Sequence, residues 1–368
     1  MNARMPAMVA MAKAACAVVS KKHNVVNGKK KRRVSGHYLA VISQRETKMQ
    51  PISVTILTGF LGSGKTTLLR HILNANHGYK IAVIENELGE VPIDNELIGD
   101  RATQIKTLSN GCICCSRSSE LEATLLDLLD SMDKGQIYFD RLIIECTGMA
   151  DPGPITQTFF SHDVLCQRFL LDGIITLVDA AHADQQLDRF SIAQAQVGYA
   201  DRILLTKTDI APTYDALIER LQRINARAPV HKVIQGEADL SALFDIEGFM
   251  LNDKLAVSAP VFRFAPKQQN AIQSIVVNFS HSVELSGISN LMEELLLSFA
   301  DNLLRYKGIL AIKDEPRRLL FQGVQRLYSA DWDREWRDDE ARESVLVFIG
   351  MDLPEQKIRE KFAELFIE

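Results

Sequence analysis

The amino-acid sequence predicts an α/β fold, a parallel sheet with helices on both faces, joined to a smaller C-terminal α+β domain. Three observations carry that prediction. The chain has 368 residues, 46% of them hydrophobic and 24% charged, the balance of a globular protein with two ordinary domains. From residue 52 to residue 234, short apolar runs alternate with helical periodicity, the rhythm of parallel strands joined by covering helices. After about residue 250 the pattern changes, and strand follows strand. We therefore expect a first domain over residues 49–251, a linker over 252–270 and a second domain over 271–368, behind a basic extension at 1–48.

Ile52–Thr58 is the first short apolar run, read as a buried strand. A glycine-punctuated turn follows over Gly59–Thr67, and a helix begins within it and runs over Thr66–Leu73. Lys80–Glu85 reads as the second strand. Leu121–Leu129 has apolar residues at 121, 125, 128 and 129, one face of a helix. Further strands are expected at Arg141–Glu145, Ile174–Asp179, Arg202–Thr206 and Val230–Ile234, with a helix at Tyr214–Ala226. In the second domain Ser274–Ser280 alternates as a strand and Ile288–Leu304 is an amphipathic helix. Leu319–Ser329 and Ser344–Gly350 read as strands, and Pro354 opens a last helix, where a first-turn proline is tolerated.

Charge is unevenly spread. The net charge of −5 divides into +10 over residues 1–49 and −15 over the rest. An acidic body repels phosphates, so no specific nucleic-acid partner is expected. No apolar run reaches the ~18 residues of a spanning helix, so no membrane partner is expected and a cytoplasmic location is. The run Lys29–Arg33 has two readings. One is a nucleic-acid patch or a targeting segment. The other, which we favour, takes Met49 as the start and residues 1–48 as disordered or untranslated, because Met49 stands just ahead of the first strand.

Gly59, Phe60, Leu61, Gly62, Ser63, Gly64, Lys65 and Thr66 match the phosphate-binding pattern of P-loop NTPases, between a strand and a helix as that pattern requires. Glycines let backbone N–H groups wrap around phosphates, and the helix N-terminus adds a favourable dipole. With Thr67 these residues form the expected nucleotide cradle. Lys65 is expected at the β- and γ-phosphates and the Thr66 hydroxyl on Mg²⁺. Leu142–Glu145 is an apolar strand ending in a carboxylate, the place of a Walker B acid near Mg²⁺. Gly148 follows closely, and its N–H is expected near the γ-phosphate. Lys65, Thr66, Glu145 and Gly148 are the candidate catalytic residues. No residue stands out as an arginine finger or a water-orienting group.

Base choice is read from Thr206, Lys207, Thr208 and Asp209. GTPases place Asn-Lys-x-Asp at such a strand end. The aspartate accepts from the ring and exocyclic N–H donors of guanine, and the lysine stem packs on the base. Thr206 stands where the asparagine would be and loses its amide, which weakens the guanine signature. The competing reading is a polar turn with Asp209 as a helix cap.

Cys112, Cys114 and Cys115 are three cysteines in four residues. Thiolates favour Zn²⁺ or Cu(I). In an extended segment Cys112 and Cys114 share a side and Cys115 faces the other, so all three reach one ion only if the chain turns. The competing readings are buried small hydrophobes or a redox pair. Glu85 and Glu90 flank a loop placed to answer the γ-phosphate. Those two acids, Glu122 and His162 could complete the site, while each taken singly reads as a surface acid or an ordinary histidine. Cys146 and Cys166 are read as buried thiols.

Together these strings resemble the CobW-related P-loop GTPases, a group of metal-handling GTPases. The likeness rests on Leu57–Leu69, Glu85–Glu90, Gly111–Cys115, Glu145–Pro152 and Thr206–Asp209, with Leu319–Tyr328 in the second domain. It runs from about residue 50 to the end of the chain. The resemblance implies slow GTP hydrolysis coupled to delivery of a transition metal, usually zinc, to client metalloproteins. It also implies that Glu85, Glu90, Cys114, Glu122 and His162 contribute to metal sites near the cysteines. GTP, Mg²⁺ and Zn²⁺ are the ligands expected. The rival readings are a metal-sensing module with vestigial hydrolysis, and a P-loop ATPase or kinase. The second domain shows no chemistry of its own and is read as a surface for partners or self-association as a homo-oligomer.

Overall fold

The computed structural model describes residues 51–85, 102–107, 118–211, 213–249, 271–299 and 301–366. The basic extension and the expected linker fall outside them. The chain opens with β1 (Ile52–Gly59), α1 (Lys65–Asn74), β2 (Ile81–Glu85), β3 (Ala102–Thr107) and α2 (Ser118–Asp133). Next come β4 (Arg141–Glu145), α3 (Pro152–Ser161), α4 (Asp163–Arg168), β5 (Phe169–Asp179), α5 (Ala183–Arg189) and α6 (Ser191–Tyr199). β6 (Arg202–Thr206), α7 (Asp215–Ile224) and β7 (Val230–Val233) complete the first unit.

Its seven strands are all parallel, in the order β3-β2-β4-β1-β5-β6-β7. Alternate side chains of the central strand serve opposite faces. Val54 and Ile56 pack with Leu121, Leu125 and Leu129 of α2, while Leu57 packs with Leu68, Leu69 and Ile72 of α1. Each leucine buried in this way contributes about 1.5–3 kcal/mol by leaving water. Burial on both sides is why these strands read as unbroken apolar runs. The order also places the loop after β1 between the ends of β4 and β5, at the carboxyl edge where open parallel sheets bind ligands.

The second unit holds β8 (Ile272–Phe279), α8 (Leu285–Phe299), β9 (Leu303–Ala311), β10 (Arg317–Val324), β11 (Leu327–Glu335), β12 (Ser344–Met351) and α9 (Glu355–Glu364). Its strands are antiparallel, in the order β11-β10-β9-β12-β8. One sheet face packs under α8 and α9 through Leu291, Leu295, Phe348 and Phe362. The other face shares a core with the first unit, where Val276, Val347 and Ile349 meet Ala193, Val197 and Leu217. The helices α6 and α7 thus serve both sheets.

Two expectations need correction. The helix read over Ile288–Leu304 ends at Phe299, and β9 starts at Leu303. Asn302 N–H bonds to Phe299 O at 2.9 Å and turns the chain there. The strand read over Leu319–Ser329 is a hairpin, turned at Gln325 with φ 51°. Strand β3 was not anticipated. Among the described residues, no helix is long and apolar enough to cross a membrane.

Candidate functional site

The turn after β1 is shaped by its glycines. Gly62 and Gly64 have φ of 74° and 98°, backbone that other residues rarely adopt. Gly59 is required by space, because a Cβ there would lie 2.4 Å from Leu177 O of β5. Ser63 N–H donates to Phe60 O at 3.2 Å and Leu68 N–H to Gly64 O at 3.0 Å, which closes the turn and starts α1. Gly64 gives α1 no side-chain cap, so the first N–H groups of the helix stay open to an anion. Lys65 Nζ folds back to donate to Gly59 O at 2.9 Å and Phe60 O at 3.3 Å. Ser63 Oγ and Thr147 Oγ1 are buried and have no hydrogen-bond partner among the described residues. Phosphate oxygens would satisfy them.

Thr66 and Glu145, expected around Mg²⁺, do meet. Thr66 Oγ1 donates to Glu145 Oε1 at 3.1 Å across 79 residues of sequence. Hard oxygen donors of this kind fit Mg²⁺. Gly148 lies against the phosphate turn, since a Cβ on it would stand 2.7 Å from Leu61 N. Ala150 N–H donates to Thr147 O at 3.0 Å and closes a tight turn around Gly148.

Thr206 proves to be a tie between loops. Its hydroxyl donates to Ser63 O at 2.9 Å, with Val178 O a second acceptor at 3.3 Å. Lys207 takes the left-handed conformation, φ 58°, and its Nζ donates to Asp179 Oδ2 at 2.8 Å. Burial alone would raise the Asp179 carboxyl. Hydrogen bonds from Lys207, His182 and Ala181 N–H outweigh it and hold the group below the usual carboxylate range. Asp209 is exposed in the following turn. It caps no helix: α7 begins six residues later, with Tyr214 at its N-cap.

The expected metal residues fall into two described groups. Glu85 ends β2 and pairs in register with Glu145 at the end of β4. Both are buried, at 3% and 4% exposure. Farther out, Glu122 Oε1 and His162 Nε2 lie 3.5 Å apart. His162 Nδ1 accepts from Val164 N–H at 3.2 Å and caps α4. A neutral ring accepting there carries its proton on Nε2. A metal ion on Nε2 would displace that proton and cost α4 its cap. Glu90, Cys112, Cys114 and Cys115 lie outside the described residues. Among the described residues alone, no three His, Cys, Asp or Glu side chains form a metal-sized cluster. Cys146 is buried and outside any disulfide, as expected. Cys166 is not: it is disulfide-bonded.

Sequence reasoning missed two residues here. Asp179, which holds Lys207, ends an apolar strand as Glu145 does and was open to the same reasoning. Gln196, buried beneath Gly148, carries no local signal.

The CobW/HypB/UreG nucleotide-binding domain family matches residues 53–232, and the cobalamin synthesis protein cobW C-terminal domain family matches residues 272–366. The chain belongs to the CobW family. It is 68% identical over 317 residues to the zinc chaperone YjiA of Escherichia coli (strain K12), covering 86% of this chain and 99% of that protein. It is 31% identical over 350 residues to the zinc chaperone CobW of Pseudomonas aeruginosa, covering 83% of this chain and 89% of that one. A solved structure of the Zn(II)-bound YjiA GTPase from E. coli superposes with a TM-score of 0.76 at 67% identity, covering 87% of this chain and 100% of that one. In this CobW chain the seven-stranded unit is the one matched by the family's nucleotide-binding domain.

Proposed function

We propose that this CobW protein is a GTPase that carries zinc to client metalloproteins, with hydrolysis switching the metal from held to released. The observation that carries the reading is the register of Glu85 with Glu145 on neighbouring strands. One carboxylate faces the Thr66 hydroxyl, and the other begins the Glu85–Glu90 loop of the expected metal set. A change at the γ-phosphate therefore has a path of one strand spacing to the zinc ligands. The names of the similar YjiA and CobW proteins support zinc as the cargo.

The Gly59–Thr67 turn cradles the phosphates with its N–H groups. Lys65 exchanges its own loop carbonyls for phosphate oxygens. Thr66 and Glu145 would hold Mg²⁺, which supplies positive charge for the transferring phosphoryl group. The Gly148 N–H faces the γ-phosphate and Asp209 reads guanine, with Lys207 against the base. Zinc is held among Glu85, Glu90, Cys112, Cys114, Cys115, Glu122 and His162.

The test is a chelator-competition Zn²⁺ titration of the full chain under reducing conditions. It is run with GDP and with a non-hydrolysable GTP analogue, on the parent, Cys114→Ala and His162→Ala. Affinity is expected to differ by about tenfold between nucleotides, a typical coupling energy, and to weaken in both variants. Equal affinities in the two nucleotide states would remove the coupling.

A further inference from the structure

We propose that Gln196 of α6 is a positioning residue for GTP hydrolysis. It holds the turn over Thr147–Ala150 so that the Gly148 N–H faces the γ-phosphate. This rests on the role given to Gly148 above.

Gln196 is 1% exposed and stands on an apolar helix, between Ala195 and Val197. A buried amide in such surroundings is costly unless it is bonded. Its Nε2 donates to Gly148 O at 3.2 Å and to Ala150 O at 3.0 Å. A glutamine amide has two N–H donors, and each takes one carbonyl. The Gly148–Met149 and Ala150–Asp151 peptides are thereby fixed. The bond from Ala150 N–H to Thr147 O fixes the peptide that carries the Gly148 N–H. Met149 itself is 46% exposed, so its side chain leaves the other side of the turn to solvent.

The hold is useful because α6 cannot shift. Thr176 Oγ1 donates to Gln196 O at 2.7 Å. Asn225 Nδ2 donates to Val197 O at 2.8 Å and Ala200 O at 2.9 Å. Arg305 of the second unit donates to Tyr199 O at 2.9 Å. Gln196 is thus a fixed post for a turn that has no apolar anchor at Met149. Without it, the Gly148 N–H would meet a γ-phosphate oxygen only part of the time. GDP has no γ-phosphate, so the loss falls on GTP alone.

The test compares Gln196→Met, which keeps the length and cannot donate, with Thr176→Val, which removes one anchor of α6 while those from Asn225 and Arg305 and both bonds from Gln196 to the turn remain. Steady-state kcat and KM for GTP are measured on the full chain, with Kd for GDP and for a non-hydrolysable GTP analogue. For Gln196→Met we expect kcat to fall by about tenfold or more and the analogue Kd to rise by about tenfold, with GDP Kd within about twofold. Thr176→Val stays within about twofold throughout. If Gln196→Met does not fold, Gln196→Asn, which draws the amide back by one methylene, is expected to show the same pattern at about threefold. The proposal is overturned if the Gln196 variant keeps kcat and analogue affinity, if it loses GDP affinity equally, or if Thr176→Val reproduces its profile. Gly148→Ala separates the two layers. If that variant keeps the parent's ratio of analogue to GDP affinity, the Gly148 reading itself fails. If it loses the ratio while Gln196→Met keeps it, only the role of Gln196 fails.

Discussion

The two ends of β6 are fastened by opposite chemistry. At the phosphate end, the neutral Thr206 hydroxyl ties the strand to Ser63 O. At the other end, buried Asp201 accepts from Arg305 at 2.6 Å, Arg227 at 3.1 Å and Ile174 N–H at 3.0 Å. Arg305 belongs to the second sheet, so Asp201 bolts the two units together. Arg305 also donates to Gly248 O at 2.7 Å and lies 4.0 Å over the Phe249 ring. A neutral hydrogen bond contributes about 0.5–1.5 kcal/mol net. Removing one partner of a buried ion pair costs about 3–5 kcal/mol. The seam between units is therefore the rigid end, and the nucleotide mouth is the adjustable one.

The largest effect is expected at the seam. Asp201→Asn leaves Arg227 and Arg305 buried without their counter-charge, and we expect a loss of about 3–5 kcal/mol. Both tryptophans, Trp332 and Trp336, lie in the second unit. In urea, their fluorescence transition should therefore move to lower denaturant and separate from the far-ultraviolet circular dichroism transition. Coincident, unmoved transitions would show that Asp201 is no bolt. The pH dependence has a definite sign. Burial alone would raise the Asp201 carboxyl, but Arg305 and Arg227 hold it below the usual range. Its stabilisation is therefore present above the ordinary carboxylate range and lost as pH falls through the lower folded value.

A smaller effect is expected beside it. Lys307 is buried at 3% exposure, and burial, then Arg227 and Arg305, push its amine down from 10.5 to about 7. Between about pH 7 and about pH 10 the unfolded chain holds this proton and the folded chain does not, so stability rises with pH across that window. Lys307→Met removes the titrating amine and should flatten the slope of stability against pH. Melting temperatures of parent and variant across that window check this, and parallel slopes would sink the idea.

The difference between the two ends also explains what could be read from the sequence. The Gly59–Thr66 turn, Glu145 and Glu85 were legible because each is a local string at a strand end, where side-chain type and spacing carry the chemistry. The ties were not. Thr206 reaches Ser63 across 143 residues, Asp201 reaches Arg305 across 104, and Gln196 reaches Gly148 across 48. Thr206 looked like a weakened asparagine because its neighbours gave no hint of a carbonyl within reach. β9 was hidden because Leu303 and Leu304 continue the apolar pattern of α8, and short apolar runs do not declare their period. The β10–β11 turn at Gln325 and Arg326 lacks the glycine or asparagine that usually announces a two-residue hairpin.

The smallest effect sharpens the contrast at the nucleotide mouth. Thr206→Val keeps the shape and removes the donor, so the Ser63 and Val178 carbonyls lose one partner. The expected cost is about 0.5–1.5 kcal/mol, a loss of about twofold to tenfold in affinity for GDP and GTP alike. Preference for GTP over ATP should not change, because the hydroxyl positions the phosphate turn and touches no base. Asp209→Ala should do the reverse, leveling the two nucleotides, since adenine lacks the paired donors that its carboxylate accepts. Competition of each variant for a fluorescent GDP by GDP and ADP separates the two roles. If Thr206→Val abolishes the guanine preference while affinity for ADP holds, then Thr206 reads the base, and the tie to Ser63 is incidental.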